Sequence, residues 1–320
     1  MRRRILATRV PGRSRYGTAW DAQRALARAR IDGGIDTDWL VLLEHQPVVT
    51  LGRAAPRGHV VASPARLAEL GIECVEIERG GDVTYHGPGQ LVGYPILDLG
   101  RFRRDLHWYV RRLEEALIRG LGRLGLPALR VPGRTGVWVR GASSHLGRRA
   151  PSEREPGGEE LRSPLDPAAP RKLASIGVHV SRWVTWHGFA LNVSEASLER
   201  FDLIVPCGLP GVRMTSLESE GVRVERGVES PRLREAVLAG FALAFECPVE
   251  WVRWERVSEV GGPAVARALA PLEKPALEMG AVEAETVEAG ARQAGAREAG
   301  AGAPEAGLRP AGDVGGAVRR

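Results

Sequence analysis

Residues 79–94 read Arg-Gly-Gly-Asp-Val-Thr-Tyr-His-Gly-Pro-Gly-Gln-Leu-Val-Gly-Tyr. The polar side chains of Arg79, Asp82, Thr84, Tyr85 and His86 stand among Gly80, Gly81, Gly87, Pro88 and Gly89. Apolar runs that read as strands flank them at 74–78 and 91–97. A plain hairpin needs one turn dipeptide, not this density of glycine and functional groups. Glycine accepts φ > 0 and lets backbone approach a ligand closely. The segment therefore reads as the wall of a binding site carried on a sheet. The competing reading is a glycine-rich hairpin with a polar rim.

Working outward, the hydrophobic pattern marks a succession of helices and strands. Residues 14–30 form a predicted helix with Tyr16, Trp20, Gln23, Leu26 and Ala27 on one face. Residues 39–44 and 47–51 read as strands, and Pro64 opens a short helix that stops near Gly71. Asp105 is a good N-cap for a helix to about Gly125, with Leu106, Tyr109, Val110, Leu113, Leu117, Leu121 and Leu124 as its apolar stripe. Residues 136–140, 173–180 and 183–193 read as strands, the last two as a hairpin. A final helix spans 231–247, and 249–254 closes the sheet.

Two segments break this pattern. Residues 148–171 contain five prolines and many charges, with Leu161 and Leu165 as the large apolar residues, and read as an inserted, disordered loop. From Ser258 the chain turns to alanine, glycine and glutamate without aromatics, which predicts a low-complexity, disordered tail over 258–320. The catalytic domain is then expected over 1–257. The tail holds seven basic and nine acidic residues, so the +6 of the whole chain becomes +8 on the remainder.

Composition narrows the function classes. A chain of 320 residues that is 43% hydrophobic can bury a sizeable core. It has no apolar run of membrane-spanning length, and its start, Met1-Arg2-Arg3-Arg4, lacks the apolar region of a signal peptide. Cys74, Cys207 and Cys247 are too scattered for a disulfide framework or a zinc site, which points to a reducing, cytoplasmic setting and no metal. A basic surface favours acidic partners. No nucleic-acid motif accompanies it and the arginines are spread along the chain, so no nucleic-acid partner is expected. Lysine occurs at Lys172 and Lys274 alone.

Cys207 lies in Ile-Val-Pro-Cys-Gly-Leu-Pro-Gly (204–211), a tight non-helical loop that suits a nucleophile as well as a small buried hydrophobe. Cys74, in a strand, and Cys247, on the last helix, read as buried hydrophobes. Lys172 precedes a strand and is either a solvated charge or an ammonium that favours a nearby thiolate. Residues 35 apart need not meet, and the sequence does not bring them together. Ser175-Ile176-Gly177 and Gly188-Phe189-Ala190 put small residues on adjacent strands, a groove for an alkyl chain or ordinary strand packing. His86 and His187, each followed by glycine, are candidate polar groups of the site, and Thr215 and Ser216 are weaker candidates for hydrogen bonds near Cys207.

Arg79–Tyr94, Lys172–His179, Val184–Val193 and Pro206–Leu217 together resemble the lipoyl(octanoyl) transferases. The resemblance covers about residues 5–255 apart from the 148–171 loop. It implies an α+β fold, a mixed β-sheet flanked by helices, like that of biotin and lipoate protein ligases. It implies transfer of an octanoyl or lipoyl group from acyl carrier protein to a lysine of lipoyl-domain proteins, through an acyl-thioester on cysteine and without a cofactor. The glycine cleavage H protein and 2-oxoacid dehydrogenase E2 subunits are the implied acceptors, with no membrane partner. By motif, Cys207 and Lys172 are the implied catalytic pair. Arg79, Gly80, Gly81, Asp82, Val83, Thr84, Tyr85, His86, Ser175, Ile176, Gly177, Gly188, Phe189 and Ala190 are the implied substrate contacts. Three alternatives stay open. They are an ATP-dependent lipoate or biotin ligase, an amidotransferase between lipoyl-domain proteins, and a non-catalytic acyl-binding module.

Overall fold

Alternate residues of the central strands serve opposite layers of the molecule. In β1 (Ile5–Ser14), Ile5 and Ala7 join one core cluster and Leu6 and Val10 another. In β2 (Asp38–His45), Leu40 and Leu42 divide in the same way from Trp39, Val41 and Leu43. A strand buried on both faces is apolar along its whole length, which is why 39–44 carries no polar alternation. This computed structural model describes residues 3–140, 169–208 and 211–273.

The remaining strands are β3 (Val48–Leu51), β4 (Glu73–Glu76), β5 (Val83–His86), β6 (Gln90–Ile96), β7 (Leu129–Val131), β8 (Arg134–Val139), β9 (Arg171–Ser181), β10 (Val184–Asn192) and β11 (Val249–Trp251). The helices are α1 (Tyr16–Ile31), α2 (Pro64–Glu69), α3 (Leu106–Arg123), α4 (Pro231–Phe245) and α5 (Val257–Leu269). Eight strands form a mixed sheet in the order β11-β1-β2-β6-β10-β9-β8-β7. It is parallel at β11/β1/β2 and antiparallel from β2 onward. A smaller sheet, β4-β3-β5, stands apart from it. Helices α3 and α4 cover one face, with Tyr109, Leu113, Leu117 and Phe241 on Leu42, Leu173 and Leu191. Helices α1 and α5 cover the other, with Ala19, Leu26, Val265 and Leu269 against Trp39, Val41 and Val92. The α+β architecture that the resemblance implies is therefore present, as two helical layers around one sheet.

The expected cap at Asp105 is present, and two serines cap further helices. The Asp105 side chain accepts a hydrogen bond from the Trp108 N–H at 3.0 Å, and Ser63 and Ser230 cap α2 and α4 ahead of Pro64 and Pro231. Leu106, placed on the buried stripe of α3 by its spacing, is 45% exposed, because the stripe meets the sheet only from Tyr109 onward.

The boundary at Ser258 is corrected. Residues 258–269 lie in α5 and a short 3-10 turn continues over Ala270–Glu273. Val265, Ala268, Leu269 and Leu272 are buried. Packing against α1 overrides a composition rich in glycine and alanine and a break at Gly262–Pro263. The rest of the expected tail, 274–320, and most of the expected loop, 148–168, lie outside the described residues. The end of that loop is ordered in the sheet, where Ala169 is buried and Arg171 begins β9.

Candidate active site

Cys207 sits between β5 and the start of β9, on a single turn at Pro206–Gly208, and has φ +58° and ψ 22°. Left-handed backbone is uncommon outside glycine and costs on the order of 1–3 kcal/mol. The turn is tied down by Val205 N–H to His59 O (2.7 Å) and Gly208 N–H to Val205 O (3.1 Å). His59 in turn faces Asp82, with Nδ1 at 2.9 Å from its carboxylate. The half-buried Cys207 Sγ accepts a hydrogen bond from Lys172 Nζ at 2.9 Å. Lys172 is 2% exposed. Its Nζ also donates to Thr135 O at 3.0 Å and lies 5.3 Å from the centre of the Trp138 ring. The Arg134 guanidinium sits over the same indole at 5.8 Å. Lys172 is thus a buried cation fixed by a carbonyl and an aromatic ring and aimed at sulfur, which removes the surface-charge reading.

A cavity of about 240 Å³ runs inward from this pair. One wall is the hairpin β9/β10, whose register places Ser175 opposite Ala190, Ile176 opposite Phe189 and Gly177 opposite Gly188. A Cβ on Gly177 would lie 2.8 Å from Arg79 Cδ and 2.9 Å from Gly80 O, so glycine is required for the opposite wall to approach. That opposite wall is the glycine-rich segment. Arg79 is 6% exposed and donates to Thr50 O, Thr50 Oγ1, Gly80 O and Asp82 O. Its guanidinium holds the loop in shape as well as facing the cavity.

The inner end of the cavity is polar but uncharged. Tyr16 from α1 and Tyr94 from β6 meet His187 there, with Tyr16 Oη 3.4 Å from His187 Nδ1. His45 Nδ1 donates to Ser14 O, so its Nε2 accepts the Tyr94 hydroxyl at 2.6 Å. Burial pushes the Tyr16 and Tyr94 phenols up, keeping both neutral. Burial also holds the His45, His86 and His187 imidazoles below their ordinary range, His45 from 6.5 to about 4. Unfolded, these rings take up protons near pH 6.5, so the stability of keeping them neutral is present above about that value and lost as pH falls toward the folded values. The melting temperature should therefore fall between about pH 7.5 and about pH 5 by more than about 2 °C, the shift for roughly 1 kcal/mol in a domain of this size. An unchanged melting temperature would show that the rings protonate in the fold without penalty.

Of the residues expected from sequence, Cys207, Lys172, Arg79, Gly81, Asp82, Val83, Thr84, His86, Ser175, Ile176, Gly177, Gly188, Phe189 and Ala190 all line this one cavity, as does His187. Gly80 lies just behind it, with its N–H on Val178 O. Tyr85 points away, because alternation along β5 turns its ring into the core of the small sheet against Phe201. Thr215 bonds the backbone of Lys172 and its hydroxyl goes to Glu220, so it does not serve Cys207. Cys247 is buried as expected, whereas Cys74 is exposed, its strand β4 being an edge of the small sheet. Tyr16, Tyr94, Arg134 and Thr135 were missed. Tyr16 was visible on the buried face of α1, but nothing local marks that face as a cavity wall.

The lipoyl protein ligase A/B catalytic domain family matches residues 15–242. The chain is 44% identical over 235 residues to an octanoyltransferase of Gloeobacter violaceus, covering 73% of this chain and 88% of that protein. It is 44% identical over 248 residues to an octanoyltransferase of Acidobacterium capsulatum, covering 75% and 90%. Among solved structures, a putative lipoate protein ligase from T. acidophilum with bound lipoic acid superposes with a TM-score of 0.52 at 18% identity, over 84% of this chain and 95% of that one. A lipoate-protein ligase A bound with ATP gives 0.53 at 17% identity, over 84% and 94%. At these identities the structures speak for the fold alone.

Proposed function

Because this chain belongs to the lipoyl protein ligase A/B catalytic-domain family, we infer that it is an octanoyltransferase of protein lipoylation that works through an acyl-thioester on Cys207. The activity is that of the octanoyltransferases it matches over most of its length. It moves an octanoyl group from an acyl donor to lipoyl-domain proteins. For the finer assignments, we take octanoyl-acyl carrier protein as donor, the glycine cleavage H protein and 2-oxoacid dehydrogenase E2 subunits as acceptors, and the cytoplasm as the setting. The observation that carries the covalent route is the 2.9 Å contact of a buried lysine ammonium with a cysteine sulfur at the mouth of an acyl-sized cavity.

In the first step the Cys207 sulfur attacks the donor's thioester carbonyl. The Cys207–acyl bond forms, the donor's carbon–sulfur bond breaks, and the departing thiolate takes a proton from Lys172. Bond types barely change, so little thermodynamic work is required. In the second step the acceptor's lysine amine attacks the acyl-enzyme, and the neutral Lys172 accepts the proton the amine sheds. The Cys207 thiolate leaves and is again paired with an ammonium. The alkyl chain lies between β9/β10 and the glycine-rich wall. Thr84 Oγ1 and Ser175 Oγ line the cavity and have no partner among the described residues, so both are available to the thioester carbonyl.

Intact-mass measurement tests this directly. The full chain incubated with octanoyl-acyl carrier protein alone should gain one octanoyl mass, mapped to the peptide of Cys207 and released by hydroxylamine. A requirement for ATP would move the chain to the ligases. Acylation only from an octanoylated domain would make it an amidotransferase. The absence of any adduct with any donor would sink the covalent reading.

A further inference from the structure

At the inner end of the acyl cavity His187 stands against Glu78, which lines a neighbouring cavity. His187 lines the cavity that holds Cys207 and Lys172, while the preceding residue, Trp186, lines a second cavity of about 660 Å³. That second cavity is lined by Glu78, with apolar surface from Ala27, Ile31 and Trp186 and arginines around them. His187 Nε2 lies 3.8 Å from Glu78 Oε1 across the wall. The same carboxylate oxygen accepts the indole N–H groups of Trp20 (2.9 Å) and Trp186 (2.7 Å), which hold it against the ring. Burial pushes the Glu78 carboxyl up, and His187 with the two indoles more than reverses that, leaving it below the usual carboxylate range.

His187 is also at the far end of the site. It pairs with Val178, six positions along β9 from Lys172, whose side chain runs forward to Gly136 and Thr135 and so shortens the span from sulfur to ring. Its imidazole is kept neutral by burial, so it can border an alkyl tip without a charge to desolvate. Its φ is +56°, and its N–H is fixed by Gln23 Oε1 at 2.8 Å.

We propose that His187 terminates the acyl site and sets the length of chain this enzyme transfers. The proposal rests on Cys207 being the acylated residue. A chain that outgrows the cavity must push the ring into Glu78, which the two indoles do not release. Removing the ring joins the two cavities and admits longer chains. Glycine holds φ near +56° without strain, so His187→Gly relaxes the backbone while opening the wall.

The test compares octanoyl, dodecanoyl and palmitoyl groups on one carrier protein, with acylation of the full chain followed by intact mass. Wild type should favour octanoyl over dodecanoyl. In His187→Gly the dodecanoyl-to-octanoyl rate ratio should rise at least about tenfold, the scale on which single methylenes are discriminated in such pockets. His187→Asn, which tolerates the same backbone and leaves a shorter side chain, should give a smaller rise. The ratio is taken within one enzyme, so a lower folded fraction does not imitate or mask it. Should His187→Gly not fold, His187→Asn decides. An unchanged ratio in whichever variant folds, or a wild type that takes dodecanoyl as readily as octanoyl, overturns the proposal. A wild type that forms no octanoyl adduct at all sinks the Cys207 reading itself, and this proposal with it.

Discussion

Cys207→Ser is expected to lose the octanoyl adduct and to lower transfer to a lipoyl domain at least about a thousandfold, as removal of a covalent nucleophile does elsewhere. Serine preserves the volume and accepts the same strained backbone, so the fold should be intact. What it loses is the polarisable sulfur that exchanges with a thioester. The other two cysteines make the controls. Cys74 is exposed on an edge strand and does not line the cavity of Cys207 and Lys172, and Cys74→Ser should acylate normally. Cys247 is buried on the α4 side of the sheet, and burial pushes its thiol up to about 11, which keeps it protonated at working pH. Retained adduct formation in Cys207→Ser, measured by intact mass with hydroxylamine release, would end the covalent mechanism.

Lys172→Ala and Lys172→Arg should each lower transfer at least about a hundredfold, the low end for general acid–base assistance. The alanine variant loses the proton carrier and the cation beside the sulfur. The arginine variant keeps charge, so its failure is the more informative. Nζ sits 2.9 Å from sulfur and 3.0 Å from Thr135 O. A Cβ on Gly136 would already come within 2.8 Å of Lys172 Cε, so there is no room for a planar, longer guanidinium. Arginine also does not give up a proton to an intermediate or take one from an amine. Iodoacetamide should alkylate Cys207 more slowly at neutral pH in Lys172→Ala than in wild type. Near-normal turnover and alkylation in Lys172→Ala would remove this residue from the chemistry.

Much of the site is legible because its residues come in short contiguous runs. Residues 79–86, 175–177 and 188–190 each combine glycine or small residues with functional groups, and a pattern of that kind is local. Caps and amphipathic stripes are local too, which is why α3 is legible from Asp105 onward, the expected end near Gly125 lying just past the observed one at Arg123. Strand β1 escaped because Pro11, Gly12 and Arg13 interrupt its apolar pattern where the register with β2 shifts. Strand β5 escaped because its residues read as loop chemistry, and α5 because Gly262 and Pro263 sit in a composition that has no propensity to order alone.

The sequence by itself determined the order of the main helices and strands, the family blocks through which the mixed sheet was implied, and the identity of the two candidate catalytic side chains. Only the tertiary structure decided that Lys172 touches Cys207, that Tyr85 turns away from the cavity, and that Tyr16, Tyr94 and His187 close its inner end. The first group depends on periodicity and on residues adjacent in the chain, which sequence displays directly. The second depends on where sheet register and helix packing bring distant residues: Tyr16 and His187 are 171 positions apart and meet because α1 lies across β10. No local pattern encodes that meeting, since it is the sum of many weak packing contacts over the whole core.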